Sequence, residues 1–192
     1  RKINARHLLI KIAQTQKESG DPYLFFKDNA NKGHALNGIG SVKFSNLCTE
    51  IMQLSEVSDM NSYHEDDTIR YGISCNLGSL NIATTMDNKR IKEVVKTAMR
   101  SLTIVSDITD KKMVPTIQKA NRELHSVGLG AMNLHGYLAK NFITYESKEA
   151  LDFCNVFFMM VNFYSIECSM EIAKERGATF KGFEESDYAS GV

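Results

Sequence analysis

ISCNLGSLNIA, residues 73–83, mixes apolar and polar positions so that its first part reads as a strand and its second, past Gly78, as the opening of a helix. A second stretch of the same kind, VGLGAMNLHG at 127–136, reads as a short strand, a tight glycine turn and a helix start. Between them, Ile91, Val94, Val95, Ala98, Leu102 and Val105 recur at helical spacing over 89–109. Pro115 opens another helix, because its missing N–H costs nothing in a first turn. Helices with interspersed strands predict an α/β fold, rich in helix.

Outward from this centre the pattern stays helical. Ile3, Leu8, Leu9, Ile12 and Ala13 give residues 2–18 an amphipathic helix closed by Gly20, and Asp21 with Pro22 breaks it. Residues 23–26 suit a short strand or a turn, and Gly33, Gly38 and Gly40 punctuate a loop. Ser147 is an N-cap for a long helix ending at Arg176, with Gly177 beyond it. That helix is apolar over much of its circumference (Phe153, Phe157, Phe158, Met159, Met160, Phe163, Ile166), which predicts burial on several sides. No internal repeat or low-complexity tract is visible.

The chain has 192 residues, 43% of them hydrophobic, enough for one domain with a substantial core. Lys+Arg and Asp+Glu both number 23, so no net charge steers it to nucleic acid or an anionic membrane. No apolar run approaches the roughly 20 residues of a bilayer span, and RKINARHLLIKIAQ lacks a cleavage pattern; the expectation is a cytoplasmic protein. Arg1 is not an initiator Met and Ser190, Gly191 and Val192 form no polar tail. Residues 1–192 are therefore expected to be a single segment cut at both ends from a longer protein.

The chemistry concentrates in 46–50, NLCTE, within the loosely alternating, extended-looking stretch 41–54. Side chains at i, i+2 and i+4 of an extended segment share a face, which groups Asn46, Cys48 and Glu50. An amide can orient a hydroxyl, a carboxylate can take its proton, and a sulfur between them can do covalent or radical work. A straight strand would hold the ends of this group roughly 13 Å apart, so the segment must curl or form a loop tip.

Each signal has a plainer reading. A cysteine in an apolar extended segment is usually a small core residue, although Asn46 and Glu50 would be costly to bury beside it without purpose. Cys75 alone reads as a buried thiol at a helix start, and Cys154 and Cys168, 14 residues apart near one helix face, as core packing. The four cysteines lack CxxC spacing, and His7, His34, His64, His125 and His135 lack metal-ligand spacing. Gly128 and Gly130 do not complete a GxGxxG fingerprint, and Ile39 and Gly40 stand where a phosphate loop needs Lys and Ser/Thr. Acidic residues in 55–68 (Glu56, Asp59, Glu65, Asp66, Asp67) suit a solvated connection.

SNLCTEI at 45–51, followed by Cys75 in SCNLGSLNIA at 74–83, resembles the large (alpha) chain of ribonucleotide reductase. GDPYLFFKDNANK (20–32) fits the same family, while CNLGSLNIA, GLGAMNLHGYL (128–138) and KGFEESDYASG (181–191) look most like its class Ib aerobic bacterial form. The resemblance implies part of a ten-stranded α/β barrel with the radical cysteine on an internal loop tip, and reduction of ribonucleoside diphosphates to 2′-deoxyribonucleoside diphosphates. Cys48 would carry a transient thiyl that takes the 3′ hydrogen atom. Glu50 would remove the 3′-hydroxyl proton, Asn46 would bond the ribose hydroxyls, Cys75 would be one redox-active cysteine of a dithiol, and Leu77 would line the substrate pocket with Asn46, Cys48 and Glu50.

No cofactor or metal is implied in this chain. The radical would come from the metal centre of a separate small (beta) subunit, and electrons from a thioredoxin- or glutaredoxin-like reductant. An alpha homodimer is implied, with allosteric nucleotide effector loops and the second redox cysteine upstream of Arg1, and a phosphate loop and paired tyrosines downstream of Val192. Hydrogen-atom chemistry needs Cys48 as a neutral thiol, and burial with a nearby carboxylate would favour that form. Two alternatives stay open: a nucleophilic enzyme using Cys48 with Glu50, which needs an adjacent His and rapid alkylation of Cys48 near neutral pH, and a scaffold with inert cysteines, favoured by a buried Cys48 with Glu50 facing solvent.

Overall fold

The computed structural model describes residues 2–61, 66–109 and 113–191. His64 and Glu65 lie outside them. Strand β1 (Leu77–Asn81) runs into helix α3 (Ile82–Asp87), and strand β2 (Gly128–Met132) is followed by α6 (Leu134–Lys140). The two strands pair in parallel, Leu77 opposite Gly128 through Asn81 opposite Met132. A parallel pair needs a crossover connection. Here it contains α3, α4 (Ile91–Ile108) and α5 (Pro115–Leu124), the last with its proline in the first turn as expected.

Both strand-to-helix junctions fall on asparagines. The β1 junction lies at Asn81 rather than around Gly78, because the Asn81 side chain accepts the Thr84 N–H at 3.2 Å and caps α3. After β2 the turn residue is Asn133 at φ 66°, whereas Gly128 and Gly130 belong to the strand; Asn tolerates the left-handed region through its short polar side chain. The Asn133 Nδ2 donates to Asn81 Oδ1 at 3.3 Å, tying the two strand ends together. Gly128 lets the Leu77 side chain lie across the strand: a Cβ there would stand 2.5 Å from Leu77 Cδ2 and displace it.

The core forms where α7 (Lys148–Arg176) lies against α4 and the strands. Leu80, Ile82, Val95, Phe157 and Val161 are its buried centre, with Tyr137 stacked on Phe153 at 4.5 Å beside it. The ends of α7 are those its caps predict: Ser147 Oγ accepts the Ala150 N–H at 3.2 Å, and Gly177 closes the helix at φ 63°. Its burial differs from expectation. Only Ala150, Phe157, Val161 and Cys168 are buried, while Met159, Phe163 and Met170 are more than half exposed, so one face packs and the apolar remainder is open.

By length and composition alone α7 could cross a membrane. Its uncharged run covers only residues 153–166, about 21 Å of helix against a hydrocarbon core of roughly 30 Å. Beyond that run Glu167, Glu171 and Glu175 pair with Lys92, Lys96 and Arg100 of α4.

Helix α1 (Ala5–Ser19) ends at Gly20 as expected and has no buried residue. Residues 23–26 form no strand; they lead into α2 (Lys27–Lys32), a short helix that the sequence pattern did not single out. Among the described residues from 33 to 76 there is no named helix or strand, only bridges between Val42 and Ser55 and between Asp59 and Thr68. The Tyr71 hydroxyl donates to Glu123 at 2.6 Å, which also accepts from Lys181 at 2.9 Å, anchoring this segment to α5 and the C-terminal residues. Those residues, including α8 (Asp187–Ser190), return to the 33–40 loop, where the Asp187 N–H donates to Ala35 at 2.9 Å.

Candidate active site

The NLCTE segment is a loop tip. The Thr49 N–H bonds the Asn46 carbonyl at 3.1 Å, closing a turn through Leu47 and Cys48, and Thr49 lies at φ 70°. A β-branched residue in the left-handed region is an outlier, with a cost on the order of 1–3 kcal/mol. The turn is kept by bonds across its base. Asn46 Oδ1 accepts from the Ile51 N–H and from Ser45 Oγ, both at 3.1 Å, and Ser45 Oγ reaches the Ile51 carbonyl at 2.7 Å. The curl that the 13 Å separation demanded is present, and the straight alternation is not.

The tip turns Asn46 and Glu50 toward Cys75. The Asn46 Nδ2 donates to the Cys75 sulfur at 3.3 Å, and the Cys75 thiol donates to Glu50 Oε1 at 3.5 Å. Cys75 precedes β1 by two residues and is exposed, so the reading of a buried thiol at a helix start is corrected. Leu77, the first residue of β1, is 48% exposed. Cys48 is exposed at the summit beside Leu47, which is 91% exposed. Burial of Cys48, expected both for a neutral radical thiol and for an inert core cysteine, is not found.

The electrostatics follow from these contacts. The Glu50 carboxyl is held below the usual carboxylate range, first by the Asn46 amide and next by its own backbone N–H, with Cys75 adding a smaller effect. Desolvation pushes the Cys75 thiol up, and the Glu50 carboxylate beside it adds to the shift. The residue is exposed as a whole, yet its sulfur faces the amide and the carboxylate. The carboxylate influence expected at Cys48 thus falls, as a hydrogen bond, on Cys75.

The other two cysteines stand apart: Cys168 is fully buried, bonded at 3.6 Å to the Lys96 carbonyl, and Cys154 is half-buried. A cavity of about 430 Å³ lies between Phe25, Phe26, Thr49 and Met52, and none of Asn46, Cys48, Glu50 or Cys75 lines it. Ser45 and Gln53 are functional neighbours that sequence reasoning missed. Gln53 carried a signal: an amide between Met52 and Leu54 needs a buried partner.

An amide, a carboxylate and two exposed thiols gathered on an α/β scaffold make a candidate site for thiol chemistry. A family model described as "Ribonucleotide reductase, barrel domain" matches residues 1–192. The ribonucleoside-diphosphate reductase subunit alpha of Bacillus subtilis (strain 168) is 58% identical over 190 residues, covering 99% of this chain and 27% of the relative. The subunit of the same name from Mycoplasma pneumoniae is 45% identical over 193 residues, covering 98% and 26%. Among solved structures, the Actinobacillus ureae class Id ribonucleotide reductase alpha subunit matches with a TM-score of 0.70 at 29% identity, over 91% of this chain and 32% of that one. The chain belongs to the ribonucleotide reductase barrel-domain family. It spans about a quarter of the length of these curated relatives.

Proposed function

We propose that this chain supplies the thiol centre of a ribonucleoside-diphosphate reductase alpha subunit, of class Ib by its CNLGSLNIA, GLGAMNLHGYL and KGFEESDYASG motifs. The observation that carries the reading is the bonded set Asn46, Cys75 and Glu50 beneath the Cys48 tip. A thiyl radical on Cys48, passed from the metal centre of a separate small subunit, takes the 3′ hydrogen atom of a ribonucleoside diphosphate. Glu50, already a carboxylate at neutral pH, accepts the 3′-hydroxyl proton, and Asn46 orients the ribose hydroxyls. The 2′-hydroxyl takes a proton from the dithiol and leaves as water, and Cys75 with a partner cysteine closes to a disulfide, giving two electrons and the remaining thiol hydrogen to C2′. Return of the hydrogen atom restores the thiyl. A thioredoxin- or glutaredoxin-like protein then reduces the disulfide.

Cys75 suits this role because it is a thiol at rest, with its proton directed at Glu50. Leu77, exposed beside it at the start of β1, offers an apolar wall to the substrate.

The test uses the alpha subunit that carries this chain, assembled with its small subunit. Cys48→Ala abolishes deoxynucleotide formation even in a single turnover, and measurable product overturns the radical assignment. Cys75→Ser retains 3′ hydrogen abstraction but stops productive cycling; sustained wild-type turnover with the dithiol reductant would refute that role.

A further inference from the structure

Gln53 is 8% exposed within an apolar run, and its amide grips one backbone residue with both ends. Its Nε2 donates to the Ser74 carbonyl at 2.9 Å, and its Oε1 accepts the Ser74 N–H at 3.1 Å. A side chain here makes the pair of bonds that a neighbouring strand would make. Ser74 immediately precedes Cys75, and Gln53 follows Glu50 by three residues, so the clamp joins the two segments whose side chains meet at the thiol. The next backbone tie between them is the Glu56 N–H to the Tyr71 carbonyl at 3.0 Å, further from the sulfur. The β1–β2 ladder reaches Asn76, whose carbonyl accepts the Gly128 N–H at 2.9 Å, but toward the tip no strand pairs with the Cys75 segment among the described residues.

We propose that Gln53 is a positioning residue for the reductive half of the reaction: it sets Cys75 against Asn46 and Glu50. The proposal rests on the reading of Cys75 as a reducing thiol. Without the amide, the Ser74 N–H and carbonyl lose their partners, and toward the tip Cys75 is left with only its own side-chain bonds to Asn46 and Glu50. Cys48 and its turn keep their own bonds through Ser45, Asn46 and Ile51. Loss of Gln53 therefore harms reduction more than hydrogen abstraction.

The experiment measures two quantities on the same assembled reductase: release of label from 3′-tritiated substrate and formation of deoxynucleotide. Gln53→Met, of similar size without the amide, raises the ratio of label release to product by on the order of 10- to 100-fold, the range for a misplaced reacting group. Gln53→Glu keeps the acceptor for the Ser74 N–H and loses the donor, and gives a smaller rise. Cys75→Ser, measured in parallel, raises the ratio most. If it does and both Gln53 variants leave the ratio at the wild-type value, the positioning proposal is overturned while the function stands. If Cys75→Ser leaves the ratio unchanged, the reading of Cys75 fails and this proposal with it. A defect in folding alone lowers both quantities together and counts against positioning; should Gln53→Met not fold, Gln53→Glu decides.

Discussion

Between α4 and α7 the contact is apolar, centred on Val95, Phe157 and Val161, and flanked by the Lys92, Lys96 and Arg100 pairs with Glu167, Glu171 and Glu175. Between residues 41 and 76, where the site lies, the chain is held by polar side chains bonded to backbone. Asn31 clamps Val42 through both ends of its amide, at 2.8 and 2.7 Å. The buried Ser55 hydroxyl accepts from the N–H groups of Lys43 and Phe44 and donates to the Phe44 carbonyl. Gln53 grips Ser74, and Asn76 reaches the Leu102 carbonyl at 2.8 Å. Packed apolar surface is non-directional and tolerates small shifts, whereas a hydrogen bond fixes one group against another. The helical half is therefore held chiefly by packing, and the irregular half, which also buries Val42, Ile51 and Leu54, chiefly by directional bonds.

The sharpest way to break this contrast is to empty the helical core. Phe157→Ala removes a ring that is 1% exposed and costs about 3–5 kcal/mol of stability, read from urea unfolding of the subunit. A loss below about 1 kcal/mol would show that the core does not carry the fold. Asn31→Leu leaves the N–H and carbonyl of the fully buried Val42 unpaired, at a cost of about 1–3 kcal/mol. Hydrogen exchange should localise that loss to the 41–45 amides and spare those of α4; uniform loss across both would erase the distinction between halves.

A subtler effect concerns charge at the site. Cys75 is raised by desolvation and then by Glu50, so Glu50→Gln brings its titration down toward that of an ordinary thiol. Alkylation of Cys75 by iodoacetamide at mildly alkaline pH accelerates about two- to tenfold, and its pH profile moves to lower pH. An unmoved profile would separate the two groups electrically. Because Glu50 itself is lowered, its favourable interactions are in force above its unfolded value and fade only as pH falls through the folded one. They are constant through the neutral range, and only acid removes them. Smallest of all is Lys96→Met on the helical side: the pairs with Glu167 and Glu171 are partly solvated, so stability falls slightly and the deficit shrinks with added salt. A large, salt-independent loss would mean that ion pairs rather than packing join α4 to α7.

The helical half was legible because its signals are local. Ser147 and Gly177 bracket α7, Pro115 opens α5, and the 3.6-residue spacing of Val95, Ala98 and Leu102 marks α4. The extent of α7 burial was not legible, since an apolar circumference says nothing of what covers it. In the other half, residue types identified the site while alternation misdescribed its shape. Period-two spacing requires an extended backbone, and the Thr49 bond to Asn46 replaces that with a turn. The hydrogen bond between Glu50 and Cys75 was not legible, because Cys75 is a neighbour of Glu50 in space and not in sequence.

By itself the sequence determined the α/β class, the ends of α1, α5 and α7, and the grouping of Asn46, Cys48 and Glu50, through short-range caps, periodicities and residue chemistry; Cys75 joined them only through the family resemblance. Tertiary structure alone decided that a 29-residue separation closes to a 3.3 Å contact between Asn46 and Cys75, and that Glu50 meets the second thiol. The reason is physical: those contacts depend on the Ser45, Gln53 and Asn76 bonds that fold an irregular segment, and such bonds carry no period for a sequence to display.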